Sequence, residues 1–180
     1  MEKHLQHTSK FISLVLRHQP EQIGLQLDEN GWANVEELLQ KMNAAGVAID
    51  IDLLHAIVDT NDKKRFAFNE DQTMIRASQG HSIEVNLDLQ PVLPPSILYH
   101  GTGIKNLQSI LQAGLQKQSR QHVHLSATIE TAKAVGSRHG KPRVLLIDAK
   151  AMQEAGFIFY LSANNVWLTE VVPVQFISVP

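Results

Sequence analysis

The sequence predicts an α+β protein in two lobes: a winged-helix-type lobe over residues 1–93, then a lobe built on a small β-sheet over residues 94–180. Three observations carry this reading. Three short helical patterns followed by a hairpin pattern fill the first half, the element order of a winged-helix domain. Residues 78–96, with Gly80, Pro91, Pro94 and Pro95, read as a linker. Beyond them, short apolar strands are interspersed with small helices, which suits a compact α+β sheet rather than a doubly wound one.

Charge divides at the same place. Met1 to Leu93 holds 8 Lys and Arg against 14 Asp and Glu, a net of −6, and Pro94 to Pro180 holds 8 against 4, a net of +4. The overall −2 argues against a generic nucleic-acid coat. Between Lys117 and Arg143, however, Lys117, Arg120, Lys133, Arg138, Lys141 and Arg143 are accompanied only by Glu130. That density suits a polyanion contact and, equally, a solvated helix face. The absence of cysteine excludes disulfides, thiolate metal sites and cysteine nucleophiles. No apolar run at the N-terminus resembles a signal peptide, and no stretch approaches the roughly 18 apolar residues of a membrane span. A soluble, cytoplasmic protein is expected.

Taken in order, Thr8 or Ser9 is expected to cap a first helix running through Leu16 with Phe11, Leu14 and Val15 on its apolar face. Pro20 ends it, leaving Arg17 and His18 at a helix C-terminus, where positive charge is favoured. A short strand is expected over Ile23 to Leu27, then a turn at Asp28-Glu29-Asn30-Gly31. Asn34 with Glu37 resembles a capping box for a helix to about Ala45, closed by Gly46. Asp50 caps a third helix with Ile51, Leu54, His55 and Val58 on one side, and Lys63–Phe68 pairs with Thr73–Ala77 as a hairpin. The lobe is acidic, and its second and third helices are poor in Arg and Lys, which argues against reading a DNA groove.

In the second lobe Ile97 to Tyr99 reads as a buried strand, with His100-Gly101-Thr102 turning off its end. Gly101 would let backbone approach a ligand because no Cβ intervenes. A helix over Ile104–Ala113 ends at Gly114, and His122-Val123-His124-Leu125-Ser126 is a second strand with both His on one face. These two polar strand ends could wall one pocket. A helix is expected from Thr128 to about Val135, then a glycine-bracketed basic turn, Gly136-Ser137-Arg138-His139-Gly140. Further strands are expected at Val144–Ile147 and near Phe157–Tyr160, Val166–Thr169 and Val174–Val179. No Gly-x-Gly-x-x-Gly follows a strand and no Walker motif is present, so a dinucleotide would not be held as in a Rossmann fold.

Arg17, His18, Arg65 and Arg138 are the residues that could clamp a phosphate dianion, because a guanidinium donates two parallel hydrogen bonds to phosphate oxygens. Each also has a plain reading: a solvated helix end, an edge-strand charge, a basic turn. His122 and His124 could ligate a metal, but a zinc site would need further ligands from His100, His139 or acids, and none is expected. Ser126 has no evident base, Trp32 and Trp167 read as packing residues, and Glu170 as a surface charge.

Together these stretches resemble the RNA 2′-phosphotransferase family, also called tRNA 2′-phosphotransferases. The matching pieces are Ser9-Lys10-Phe11, Leu16-Arg17-His18, Gly31-Trp32, Asp62 to Phe66, Ile75-Arg76-Ala77 with Gln79 to Ser82, Leu98 to Thr102, His122 to Ser126, Gly136 to Gly140, and Val166 to Thr169. They fall in the family's order along nearly the whole chain. The resemblance implies a winged-helix lobe joined to an ADP-ribosyltransferase-like lobe, and NAD as co-substrate without a metal. It implies that an internal RNA 2′-phosphate attacks the NAD ribose and expels nicotinamide. The ADP-ribose 2″-hydroxyl then attacks that phosphate, giving 2′-OH RNA and ADP-ribose 1″,2″-cyclic phosphate. By the same resemblance Arg17, His18, Arg65 and Arg138 are catalytic, and His100, Gly101, Thr102, His124 and Ser126 bind NAD, with His122 less certain. The expected partner is RNA carrying an internal 2′-phosphate, and the expected state is a monomer. Two alternatives stand beside this: ADP-ribosylation of terminal phosphates on RNA or DNA, and a non-catalytic winged-helix nucleic-acid adaptor.

Overall fold

The structure, a computed structural model, describes residues 2–180 and is of mixed α+β class. It divides into two compact units, one ending at Asp88 and the other spanning Leu89–Pro180.

In the first unit α1 spans Glu2–Arg17 and buries Thr8, Ile12, Val15 and Leu16. Thr8 is therefore mid-helix, and the expected cap at Thr8 or Ser9 is corrected: the Thr8 hydroxyl donates to the His4 carbonyl at 2.9 Å. A buried Thr can satisfy its hydroxyl on the preceding turn in this way. The expected strand over Ile23–Leu27 is also absent. Pro20–Ile23 forms a 3₁₀ turn instead, closed by Gly24 at φ 67°. Proline at the first helical position fixes φ for such a turn, and glycine accepts the left-handed exit.

Asp28 makes the anticipated turn by accepting from the Asn30 and Trp32 amides, both at 2.9 Å. It leads into β1 (Ala33–Asn34) and α2 (Val35–Ala44), where the Asn34 side chain accepts from the Glu37 amide at 2.9 Å. The reciprocal half of a capping box is not made, since Glu37 pairs with Lys41 one turn on. Asp50 caps α3 (Ile51–Thr60) through the Leu53 amide at 2.8 Å. The buried side of α3 is Leu54 and Ile57, while Ile51 stays 42% exposed, so the predicted apolar face is rotated. The hairpin forms as β2 (Phe66–Phe68) and β3 (Met74–Ala77), and β1 joins it to give the order β1-β3-β2.

Residues 78–88 are not a linker. Val85 and Leu87 are buried, the Ser82 amide donates to the Arg17 carbonyl at 3.0 Å, and the Asn86 amide donates to the Glu29 carbonyl at 2.8 Å. The alternation Ile83, Val85, Leu87 gives the segment an apolar side that outweighs its loop-like composition.

In the second unit β4 (Leu98–Gly103) leads through a 3₁₀ turn to α4 (Leu107–Ala113) and β5 (Leu115–Gln116). Then come β6 (Val123–Leu125), α5 (Ile129–Ser137), β7 (Pro142–Ile147), α6 (Ala149–Glu154), β8 (Phe159–Leu161) and β9 (Trp167–Thr169). The chain closes with β10 (Val171–Val172) and β11 (Ile177–Ser178). The sheets are β11-β7-β4, β6-β9-β8 and the pair β10-β5. Tyr99 and Ser126 exchange both backbone hydrogen bonds, at 2.9 and 2.7 Å, and so tie β4 to the end of β6.

Three expectations change here. His100-Gly101-Thr102 does not turn off a strand: it lies within β4, opposite Leu145, Val144 and Arg143 of β7. Gly136 and Ser137 complete α5, so the basic turn shrinks to the residues from Arg138 to Gly140. The terminal strand is shortened to Ile177–Ser178 because Val174–Phe176 curls into a 3₁₀ turn after Pro173.

Candidate functional site

The first unit gathers Arg17 and His18 around the segment Gln79–Ser82. The carbonyl of Arg17 accepts from the Ser82 and Ile83 amides at 3.0 and 3.4 Å. Ser82 Oγ and His18 Nδ1 share a hydrogen bond of 2.8 Å. Gly80, at φ 91°, lies flat against the Arg17 guanidinium: a Cβ there would stand 3.5 Å from Cζ. Arg65 precedes β2 beside the same segment, its carbonyl accepting from the Ser78 amide at 2.8 Å. Three of the four candidate phosphate residues thus border one stretch, residues 77–82, which the hairpin return strand delivers to the end of α1.

Between them lies His81, 1% exposed, and among the described residues neither of its ring nitrogens meets a hydrogen-bonding partner. Burial, together with the neighbouring Arg17, His18 and Arg76 charges, lowers its pKa to about 4. The folded protein therefore holds a neutral ring where the unfolded chain, near 6.5, takes up a proton. Stability from this group is accordingly fully present above pH 6.5, falls as the pH drops below that value, and levels off near pH 4. Urea unfolding read out by amide exchange in residues 2–88 should show a loss of about 2 kcal/mol from this group between about pH 7 and pH 5. A His81→Leu protein should lack that part of the slope, and an identical slope in both would rule the assignment out.

In the second unit Gly101 and Gly103 alternate with His100 and Thr102 along β4, so the two pairs lie on opposite faces. The glycine face is filled by α5 and the turn after it. A Cβ on Gly101 would stand 1.5 Å from the Ala132 carbonyl oxygen, and one on Gly103 would stand 2.3 Å from that of His139. The room predicted for a ligand at Gly101 is thus occupied by a helix backbone.

On the other face the His100 Nδ1–H donates to the His124 carbonyl at 3.2 Å, leaving Nε2 as the acceptor of the neutral ring. Burial lowers the His100 pKa, His139 adds to that, and the bond to His124 opposes it. His124 accepts on Nδ1 from the Arg120 guanidinium at 3.0 Å, which leaves its Nε2 to carry the proton. The Tyr99–Ser126 bridge and the bond from the His100 ring to the His124 carbonyl join β4 to the end of β6 at this point, and Thr102 is buried in β4. His122 lies just outside β6, its ring 5.6 Å from that of Tyr160. Arg138 is exposed at the C-cap of α5, where positive charge is favoured.

Sequence reasoning places Arg120 only within a basic run, and His81 and Ser82 only within a stretch that resembles the family, without assigning any of the three a role. The run Gln79-Gly80-His81-Ser82 is a signal, but its packing depends on a long-range return to α1. Glu170 pairs with Lys117, in keeping with a surface charge. Among the described residues no three His, Asp or Glu gather as a metal-binding group, and no helix is long and apolar enough to cross a membrane.

Residues 3–171 match the family model described as RNA 2′-phosphotransferase, Tpt1 / KptA family. A protein of Fusobacterium nucleatum named probable RNA 2′-phosphotransferase is 60% identical over 170 residues, covering 94% of this chain and 95% of its own. Relatives with the same name in Flavobacterium johnsoniae and Hahella chejuensis are 59% and 58% identical, covering 94% and 99% of this chain and 93% and 96% of their own lengths. With so much of its length matched, the chain belongs to the RNA 2′-phosphotransferase family.

Proposed function

We propose that the protein removes an internal 2′-phosphate from RNA and transfers it to NAD, yielding 2′-OH RNA, nicotinamide and ADP-ribose 1″,2″-cyclic phosphate. The observation that carries this is the seating of Arg17 and His18 against one buried segment that Arg65 also borders. A phosphate ester of this charge needs donors held in advance, because preorganised groups stabilise developing charge without reorganising. Arg17, Arg65 and Arg138 would grip phosphate oxygens through planar forks, and His18 would donate to the phosphate or move a proton. The element order α1-β1-α2-α3-β2-β3 with sheet order β1-β3-β2 supports a winged-helix reading of the first unit.

The second unit would hold NAD through polar groups of β4 and the end of β6: an acceptor at His100 Nε2, with the His124 ring and the Thr102 and Ser126 hydroxyls as further candidates. Bound there, NAD would supply an electrophilic anomeric carbon with nicotinamide as leaving group. Gly101 would serve the same site by seating α5 behind the strand, and the unit would be of ADP-ribosyltransferase type. Glu170 is given no catalytic role here, since the substrate phosphate is itself an anionic nucleophile.

The test is a short RNA with one internal 2′-phosphate, incubated with NAD and the protein and compared with unphosphorylated RNA. Release of nicotinamide together with loss of the phosphate is expected. ADP-ribose left on the RNA would mean that only the first step occurs, and no nicotinamide release would refute the proposal.

A further inference from the structure

The segment Gln79–Ser82 is built as a strap around the end of α1. It is anchored inward, with His81 1% exposed and Gly80 buried in the left-handed region at φ 91°. It is tied outward by two bonds from Ser82, its amide on the Arg17 carbonyl and its hydroxyl on the His18 ring, and the amide of Ile83, the next residue, also donates to the Arg17 carbonyl. The same two amides satisfy a carbonyl at the helix terminus that has no partner within the helix. Ser82 itself is exposed, so its hydroxyl is not needed to fill a core. What the hydroxyl does is fix the imidazole. With Nδ1 held by Oγ at 2.8 Å, rotation of the ring about its Cβ–Cγ bond is opposed and Nε2 becomes the nitrogen turned away from the strap.

We infer that Ser82 is a positioning residue for phosphate recognition, setting the orientation of His18 from a strap anchored by buried His81. This rests on the assignment of His18 to the substrate phosphate. The anchor keeps the hydroxyl in register with the ring, because the residue before Ser82 cannot move without exposing a side chain packed against Gly31, whose Cβ would stand 3.3 Å from His81 Nε2. Ser82 touches neither RNA nor NAD on this reading and acts through His18 alone.

The test uses the full chain with Ser82→Ala and Ser82→Thr, the second keeping a hydroxyl. Two readouts are taken: the ring nitrogen resonances of His18 by NMR, and steady-state kinetics on RNA with an internal 2′-phosphate. In Ser82→Ala the His18 ring nitrogen resonances should shift from their parent positions, and kcat/KM for the RNA should fall about tenfold, the cost of one hydrogen bond of about 1.4 kcal/mol. The KM for NAD and the thermal midpoint should stay unchanged, and Ser82→Thr should restore both His18 readouts. Unchanged His18 resonances in Ser82→Ala would overturn the inference, as would an unchanged kcat/KM in an active enzyme. If wild-type protein does not turn over the RNA, the phosphotransferase reading fails, and the resonances alone then decide whether Ser82 sets the ring.

Discussion

Arg65→Ala should lower turnover of a 2′-phosphorylated RNA by at least about 100-fold, as removal of one preorganised donor to developing charge does elsewhere. The fold should survive. The backbone of Arg65, not its side chain, receives the Ser78 amide, and the neighbouring Phe66 is paired with Ala77 across the hairpin. Truncation therefore leaves the strand register in place. Arg65→Lys should recover only part of the loss, because an ammonium keeps the charge without the planar fork. Arg138→Ala is expected to behave alike: its side chain is exposed at the C-cap of α5, and its favourable interaction with the helix terminus is worth roughly 0.3–1 kcal/mol. Time courses of nicotinamide and RNA product, read beside circular dichroism of each variant, check both. Turnover near the parent rate in either protein would remove that arginine from the clamp.

Much of the fold is legible in the sequence because it is written locally. Asn34 and Asp50 cap α2 and α3 as their residue types predict, and the turn chemistry of Asp28 to Gly31 is that of any Asx turn. The misreadings share a physical cause: contacts beyond the local pattern outweigh a local signal. Thr8 looks like a cap until its hydroxyl finds the His4 carbonyl, and residues 78–88 look like a linker until Val85 and Leu87 are buried. The site divides in the same way. Arg17, His18, Arg65 and Arg138 are visible as chemistry, whereas the contacts of Ser82 with the His18 ring and of Arg120 with the His124 ring arise only in the fold, and spacing along the chain does not encode them. His100-Gly101-Thr102 stands out as a site but reads as a turn, because a strand carrying two glycines in six residues has the composition of a loop.

Gly101→Ala tests what those glycines are for, and it is expected to destabilise the second unit by roughly 3 kcal/mol or more. The added methyl would fall 1.5 Å from the Ala132 carbonyl oxygen and 2.9 Å from the Gly136 amide nitrogen, both atoms of the α5 backbone. No rotamer change can relieve a clash between a Cβ and a main chain, so either α5 must lift away or β4 must bow. Bowing is resisted by the register with β7, which runs through Leu98–Ile147 to Gly103–Pro142. Lifting α5 would open an interface in which helix and strand backbones are so close that a Cβ on Gly136 would stand 2.9 Å from the Thr102 carbonyl oxygen. Denaturant unfolding with amide exchange in β4 and α5 measures the loss, and Ala134→Ser on the exposed side of α5 should leave it within about 0.5 kcal/mol of the parent. If enough Gly101→Ala protein folds to be assayed, its KM for NAD should rise, because His100 and Thr102 flank the displaced residue on the face opposite the helix. A Gly101→Ala protein as stable as its parent would show that strand and helix can separate at little cost. In that case the glycine is there for a ligand, as the sequence alone suggests, and not for the helix.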